Sequence, residues 1–381
     1  MSGRSGKSGR SSNFSNDEPE FRTDLHELCD QLQDEKDNDW EVIRTWFSRH
    51  STLEASDGTL YRGRDGSTAL HLVCRSWVPL DVVEMLIDAN TSALDWEDDS
   101  GWLPLHYACH HGVSVEVLEL LLAKNPGGLQ VSDTKGRNPL HFAVGNIGKK
   151  NGLFKSSVFT ALTQNGAAQV ADKKGMLPLH YACAYGASPT ALEVLITAHP
   201  KALSVSDGNG FMPLHYAMVN FERPDSPRVV ELLLSKDPGI VNVNFDHKQH
   251  PLYVLAMRAN KLKDTNKAHK EGLENALKSL QLFLDFGPMP TTNFFAALHS
   301  LPAALLDKAV VHPKVQELLN DKISRKIPTA VMMLDFSALL SVVITFGYVV
   351  IESIDLRADD TSTDDGVKSS KLSKFLTHAT L

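Results

Sequence analysis

Internal repetition constrains this chain more than any other feature of its sequence. Residues 101 to 112 read GWLPLHYACHHG and residues 175 to 186 read GMLPLHYACAYG, with LPLHYAC shared letter for letter. A unit too short to bury its own apolar face must stack on copies of itself, so repeats are sought before other motifs. Aligning on the histidine gives STALH, LPLH, NPLH, LPLH and MPLH, with His71, His106, His141, His180 and His215, then a degenerate HPLY ending at Tyr253; the spacings are 35, 35, 39, 35 and 38 residues. Each is followed by a short apolar run (LVC, YAC, FAV, YAC, YAM, VLA) and then by a second (VVEMLI, VLELLL, VFTALT, ALEVLI, VVELLL, SLQLFL), which predicts helix, turn, helix. A polar stretch with Gly, such as DDSGW, DTKGR, DKKGM or DGNGF, precedes the unit and has turn chemistry. Pro104, Pro139, Pro178, Pro213 and Pro251 fall in the first helical turn, where a missing N–H costs nothing.

Over residues 65 to about 288 this pattern resembles the ankyrin repeat, with its T-P-L-H-x-A signature. The resemblance implies an all-α solenoid, an ankyrin-type stack of helix-turn-helix repeats with short β-hairpin loops, followed here by a C-terminal apolar helix. It also implies that His71, His106, His141, His180 and His215 tie adjacent hairpin loops together through backbone hydrogen bonds. The chain departs from the family pattern in three ways. The period is lengthened after the second helix, as in AKNPGGLQVSD. The signature Thr survives only as Thr68, its place being taken by Leu103, Asn138, Leu177 and Met212, so a hydroxyl hydrogen bond is lost in several repeats. The sixth unit lacks both the Gly and the His and reads as a distorted or capping repeat.

The heptad itself is read as structural. Leu105 and Ala108 lie three apart on one helix face and can pack between neighbouring helix pairs. His106 and His110 have metal-ligand spacing, but the same His recurs at His180 and His215 with no second His after it. Cys74, Cys109 and Cys183 share one repeat position with no recurrent cationic neighbour, which points to core packing rather than a reactive thiol. No metal and no cofactor is expected, and the scattered cysteines fit a reducing setting.

A net charge of -8 and a pI near 6.0 leave no basic footprint for nucleic acid. No nucleotide, hydrolase, kinase or metalloprotease motif appears, so neither an enzyme nor a small-molecule substrate is expected. The expected layout is a disordered Ser/Gly-rich basic tail over 1–20, a helical cap over 21–60, about six repeats over 61–288, a second helical cap over 289–327, a candidate transmembrane helix over 328–353 and a polar acidic tail over 354–381. The N-terminal tail has no apolar run typical of a secretory signal. In the first cap, DLHELCDQLQ and DWEVIRTWFSRH read as a helix pair with Asp24 and Asp39 as N-caps. In the second, residues 301 to 326 read as helical, interrupted by Pro313.

Residues 330 to 351, AVMMLDFSALLSVVITFGYVVI, carry one charge, Asp335. As a helix they would extend about 33 Å, enough to cross a bilayer. Their Leu, Ile, Val and Phe residues contribute about -5 kcal/mol to insertion, more than the ~2.5 to 3.5 kcal/mol of even a central Asp. Lys322, Arg325 and Lys326 precede the segment, whereas Glu352, Asp355, Asp359, Asp360, Asp364 and Asp365 follow it, which predicts repeats on the cytoplasmic side. Ser337, Ser341 and Thr345 recur every four residues as a polar stripe suited to packing on another membrane helix. The competing reading is a buried capping helix of a soluble adaptor.

The position after the repeat Gly reads Ser67, Trp102, Arg137, Met176 and Phe211, and Trp96 stands nearby among Asp95, Glu97, Asp98 and Asp99. Aromatic residues in a charged rim suit a protein partner, and covering the tops of neighbouring repeats is the alternative. Two basic insertions, 145–156 and 258–273, fall between the paired helices of the third and sixth repeats as solvated loops. The sequence therefore points to a protein-interaction scaffold with an unidentified partner, tethered to a membrane through residues 330–351. A soluble adaptor and a regulatory part of a larger enzyme or channel are the other readings.

Overall fold

The computed structural model of the chain describes residues 20–32, 39–147, 156–243, 249–261 and 267–322. It divides into two compact units, Met1–Lys314 and Val315–Leu381. The first begins with three helices, α1 (Glu20–Gln31), α2 (Glu41–Arg49) and α3 (Thr52–Thr59). Helix pairs follow: α4 (Ala69–Val73) with α5 (Leu80–Ala89), α6 (Pro104–His111) with α7 (Val115–Lys124), and α8 (Pro139–Ile147) with α9 (Ser156–Leu162). Next come α10 (Pro178–Tyr185) with α11 (Pro189–Ala198), α12 (Pro213–Val219) with α13 (Ser226–Lys236), α14 (Pro251–Lys261) with α15 (Lys267–Asp285), and α16 (Thr292–His299) with α17 (Ala303–Val310). First helices pack on first helices and second on second, giving two layers. The described residues are helical and contain no strand.

The layers form because each helix is apolar on the side facing its neighbours. In α6, Leu105, Ala108 and Cys109 are buried, and in α7 Val117, Leu118 and Leu121 meet them from the second layer. A buried Leu contributes about 1.5 to 3 kcal/mol relative to an exposed one. Pro opens five first helices, and left-handed Gly112 and Gly186 close α6 and α10, so starts and stops are written chemically. After α5, α7, α11 and α13 the chain makes one further 3-10 turn, and this turn lengthens the repeat.

The leading cap differs from expectation. Asp24 lies inside α1 and is not its N-cap. Asp39 is not the N-cap of α2 either, that place being held by Trp40, although the Asp39 carboxylate accepts the Glu41 N–H at 3.1 Å from one residue before it. A third helix, α3, starts with a capping box in which the Ser51 hydroxyl accepts the Glu54 N–H and the Glu54 carboxylate accepts the Ser51 N–H at 2.8 Å. At the other end α16 lies ahead of residue 301, and the helical run from Ala303 is broken at 311–312, just before Pro313, and resumes from that proline, as expected. Residues 315 to 322, the described part of the second unit, are helical.

The insertion at 258–273 is mostly helix, because α14 runs to Lys261 and α15 starts at Lys267. Ala259 and the apolar stripe of α15 extend the packing and draw both helices past the expected turn. Among the described residues no helix is long and apolar enough to cross a membrane. The N-terminal tail before residue 20, most of the insertion at 145–156, the segment 330–351 with Ser337, Ser341 and Thr345, and the acidic tail lie outside the described residues.

Candidate functional site

The surface that carries the chain's unusual side chains is built at the tips, the turns preceding the first helices. The second to fifth tips are each organised by one buried aspartate. Asp98 accepts the N–H groups of Ser100 and Trp102, both at 2.8 Å, and Asp133 those of Lys135 and Arg137 at 2.8 Å. Asp172 and Asp207 repeat the arrangement on Lys174 and Met176 and on Asn209 and Phe211. Two backbone bonds close each turn, as from Asp98 N to the Trp102 carbonyl at 3.0 Å and from Gly101 N to the Asp98 carbonyl at 2.9 Å, and the Gly before the variable residue takes a positive φ, +77° at Gly101. The short hairpin loops expected here are thus tight turns held on a carboxylate, with no strand assigned to them among the described residues.

The second carboxylate oxygen faces the first helix. Tyr107, Tyr181 and Tyr216 donate to Asp98, Asp172 and Asp207 at 2.8, 2.9 and 2.6 Å. Burial, reinforced by these carboxylates, raises all three phenol pKa values. In the third repeat Phe142 stands where the Tyr would be, and Arg137 donates to Asp133 from Nε at 2.9 Å and Nη2 at 2.7 Å. Burial alone would raise the Asp133 carboxyl; the Arg137 and backbone bonds outweigh it and hold the group below its usual range.

Histidines link one tip to the next. The Nδ1 of His71, His106, His141, His180 and His215 accepts the N–H of the residue three before, at 2.9 to 3.2 Å. Nε2 donates to the next tip, reaching the carbonyls of Trp102, Arg137, Met176, Phe211 and Gln249. With both nitrogens committed, His106 has none to offer a metal. Burial holds these imidazoles neutral, at about 4 for His71, His106, His141 and His215. Thr68 adds its hydroxyl to His71 at 2.8 Å, and Asn138 replaces the missing Thr with its amide, which donates to the Ala167 carbonyl at 2.9 Å. Burial raises the thiols, Cys74 to about 12, so none is poised as a thiolate.

The variable tip residues are brought together in part. Ser67 is buried, whereas Trp102, Arg137, Met176 and Phe211 are half-buried. Trp102 donates from Nε1 to Asp133 at 3.2 Å and lies 4.5 Å from the Phe142 ring, over which the Arg137 guanidinium sits at 4.4 Å. Met176 meets Tyr216 through sulfur at 4.0 Å, and Phe211 lies 6.3 Å from the same ring. Tyr185, 5.8 Å from Tyr181, is half exposed. The tip residues therefore do both things asked of them, covering the next repeat with one side and leaving an edge open. Trp96 belongs elsewhere, under the Arg62 guanidinium at 5.0 Å. Asp95 and Glu97 are exposed beside it, Asp95 accepting from Asn125 at 2.8 Å, but Asp98 is buried and forms no part of an acidic fringe.

Two sets of residues went unread in the sequence. Tyr107, Tyr181 and Tyr216 looked like members of an apolar run, although each lies nine residues after a tip Asp, a recurrence that signals the pair. Asn146 and Asn220 donate to the carbonyl ends of the preceding first helices, at Cys109 and His110 and at Cys183 and Ala184. The family model for ankyrin repeats in three copies matches residues 36–128, 70–155 and 149–247. No curated protein matches the chain.

Proposed function

Because the chain belongs to the ankyrin-repeat family, a module for binding proteins, we propose that it is a non-enzymatic scaffold tethered to a membrane with its repeats on the cytoplasmic side. The observation that carries the scaffold reading is the strip of partly open Trp102, Arg137, Met176, Tyr185 and Phe211 over the first-helix layer. Aromatic residues and Arg dominate binding energy at protein interfaces, and a pre-ordered strip loses little side-chain entropy on contact. A photo-crosslinking residue at Tyr185 is expected to capture a protein in cells, and one at exposed Thr197 on the second-helix layer is not. Equal capture at both positions, or none at Tyr185, would refute the assignment.

The tether is supported by the apolar run 330–351 and by the sign change of the charges around it. The full chain is expected to stay in the membrane pellet through high-salt and alkaline carbonate washes, while a truncation ending at Lys326 is released. Release of both would leave a soluble adaptor.

A further inference from the structure

The first-helix layer has a charge pattern opposite to that of the whole chain. Helices α4, α6, α8, α10, α12 and α14 contain no Asp or Glu, although the protein carries a net charge of -8. In the second layer, α5 and α7 alone contribute Asp81, Glu84, Asp88, Glu116 and Glu119. Beside the first layer, the third and fourth tips expose Lys135, Lys173 and Lys174. A backbone bond of 2.9 Å from Lys173 N to the Lys135 carbonyl holds these tips side by side. The carboxylates of the same tips, Asp133 and Asp172, are buried and already occupied by Arg137 and Tyr181. None of the three forms an ion pair among the described residues. One turn along α10 from Tyr181, whose hydroxyl reaches the fourth tip at Asp172, Tyr185 is 50% exposed, and Gly145 faces its ring with no side chain, a Cβ there lying 3.9 Å from Cδ2.

We propose that this surface docks an extended acidic segment of a protein partner, with carboxylates on Lys135, Lys173 and Lys174 and an apolar side chain on Tyr185. The proposal rests on the scaffold reading and adds the chemistry of the partner. Charge complementarity argues for that occupant: a basic zone on a net-acidic protein repels basic segments locally and acidic ones elsewhere, so it sets both site and orientation. The second tip, with exposed Glu97 and Asp99, bears the opposite sign and directs the acidic end of the segment away from it.

The test pans a random peptide library on phage against the full-length chain in detergent, in parallel with the Lys135→Glu, Lys173→Glu, Lys174→Glu triple variant. The three side chains are exposed and only their backbone groups are hydrogen-bonded, so the variant keeps its fold; should it melt early, the triple Lys→Gln variant replaces it. Enriched peptides are expected to be rich in Asp and Glu with an aromatic or aliphatic anchor. Their affinity should fall about tenfold or more in the triple variant, as three rim charges reverse, and return when the peptide carboxylates are exchanged for Lys. Enrichment of neutral or basic peptides, or indifference to the charge reversal, overturns the acidic partner and leaves the scaffold intact. No enrichment at all overturns both.

Discussion

Each ladder histidine must be neutral to do its work, since protonated Nδ1 would point a hydrogen at the backbone N–H that it now accepts. The folded pKa of about 4 for His71, His106, His141 and His215 lies below the ordinary 6.5, so the unfolded chain binds more protons in acid. Stability is therefore full above about pH 6.5 and is lost as pH falls toward 4. At pH 5.5 each such histidine costs about 1.4 kcal/mol. Thermal melts at pH 7.5 and 5.5 are expected to show a fall in Tm that shrinks when His141 is replaced by Gln; a Tm unchanged between the two would refute the argument. The tip aspartates are equally exposed to test. Asp172→Ala strips acceptors from the N–H groups of Lys174 and Met176 and from the Tyr181 hydroxyl, a loss of about 2 to 4 kcal/mol in urea unfolding. At this scale the sequence disclosed the histidines, because one residue type recurs at one spacing. It hid the Asp and Tyr partners, because each type alone has a bland explanation and only the nine-residue interval joins them.

Elements were legible wherever a local signal marked them. Pro in the first turn and the apolar run after it marked where α6, α8, α10 and α12 begin. The α3 capping box was present as Ser51 and Glu54, but no apolar periodicity followed it, and the helix passed unread. The hairpin loops were supplied by family likeness, and the local chemistry of an aspartate accepting two N–H groups makes each of them a tight turn. The tips approach so closely that side chains are excluded at the contact. A Cβ at Gly136 would lie 2.8 Å from Lys173 N, on a residue with φ of +80°. Gly136→Ala is expected to cost more than about 1 kcal/mol and to weaken the junction between the third and fourth pairs. Hydrogen exchange at Lys173 N–H, donated across that junction, should accelerate; unchanged exchange there would count against the close approach.

At the scale of the stack, the main contacts of each pair among the described residues are with its neighbours, so stability is a sum of pair and junction terms and can be lost from one end. Phe283, fully buried in α15, anchors the last pairs. Phe283→Ala is expected to cost about 3 to 5 kcal/mol locally and to open α14 to α17 while α6 to α11 keep their exchange protection. A single cooperative transition with uniform loss of protection would contradict this. The two-layer architecture was readable from repetition alone; the direction of its charge was not, because the composition averages an acid-free layer with an acidic one.

The interval from the tip glycine to the ladder histidine is five residues in every repeat from Gly66 and His71 to Gly210 and His215, whereas the longest spacing between successive ladder histidines, 39 residues from His141 to His180, spans the insertion that separates α8 from α9. A carbonyl must arrive under each Nε2, so the chain cannot gain or lose a residue on that side without breaking register. Between paired helices no such appointment has to be kept. The architecture thus separates a metered edge from an unmetered one, and new sequence, whether acquired by descent or grafted in the laboratory, has its permitted place on the unmetered side.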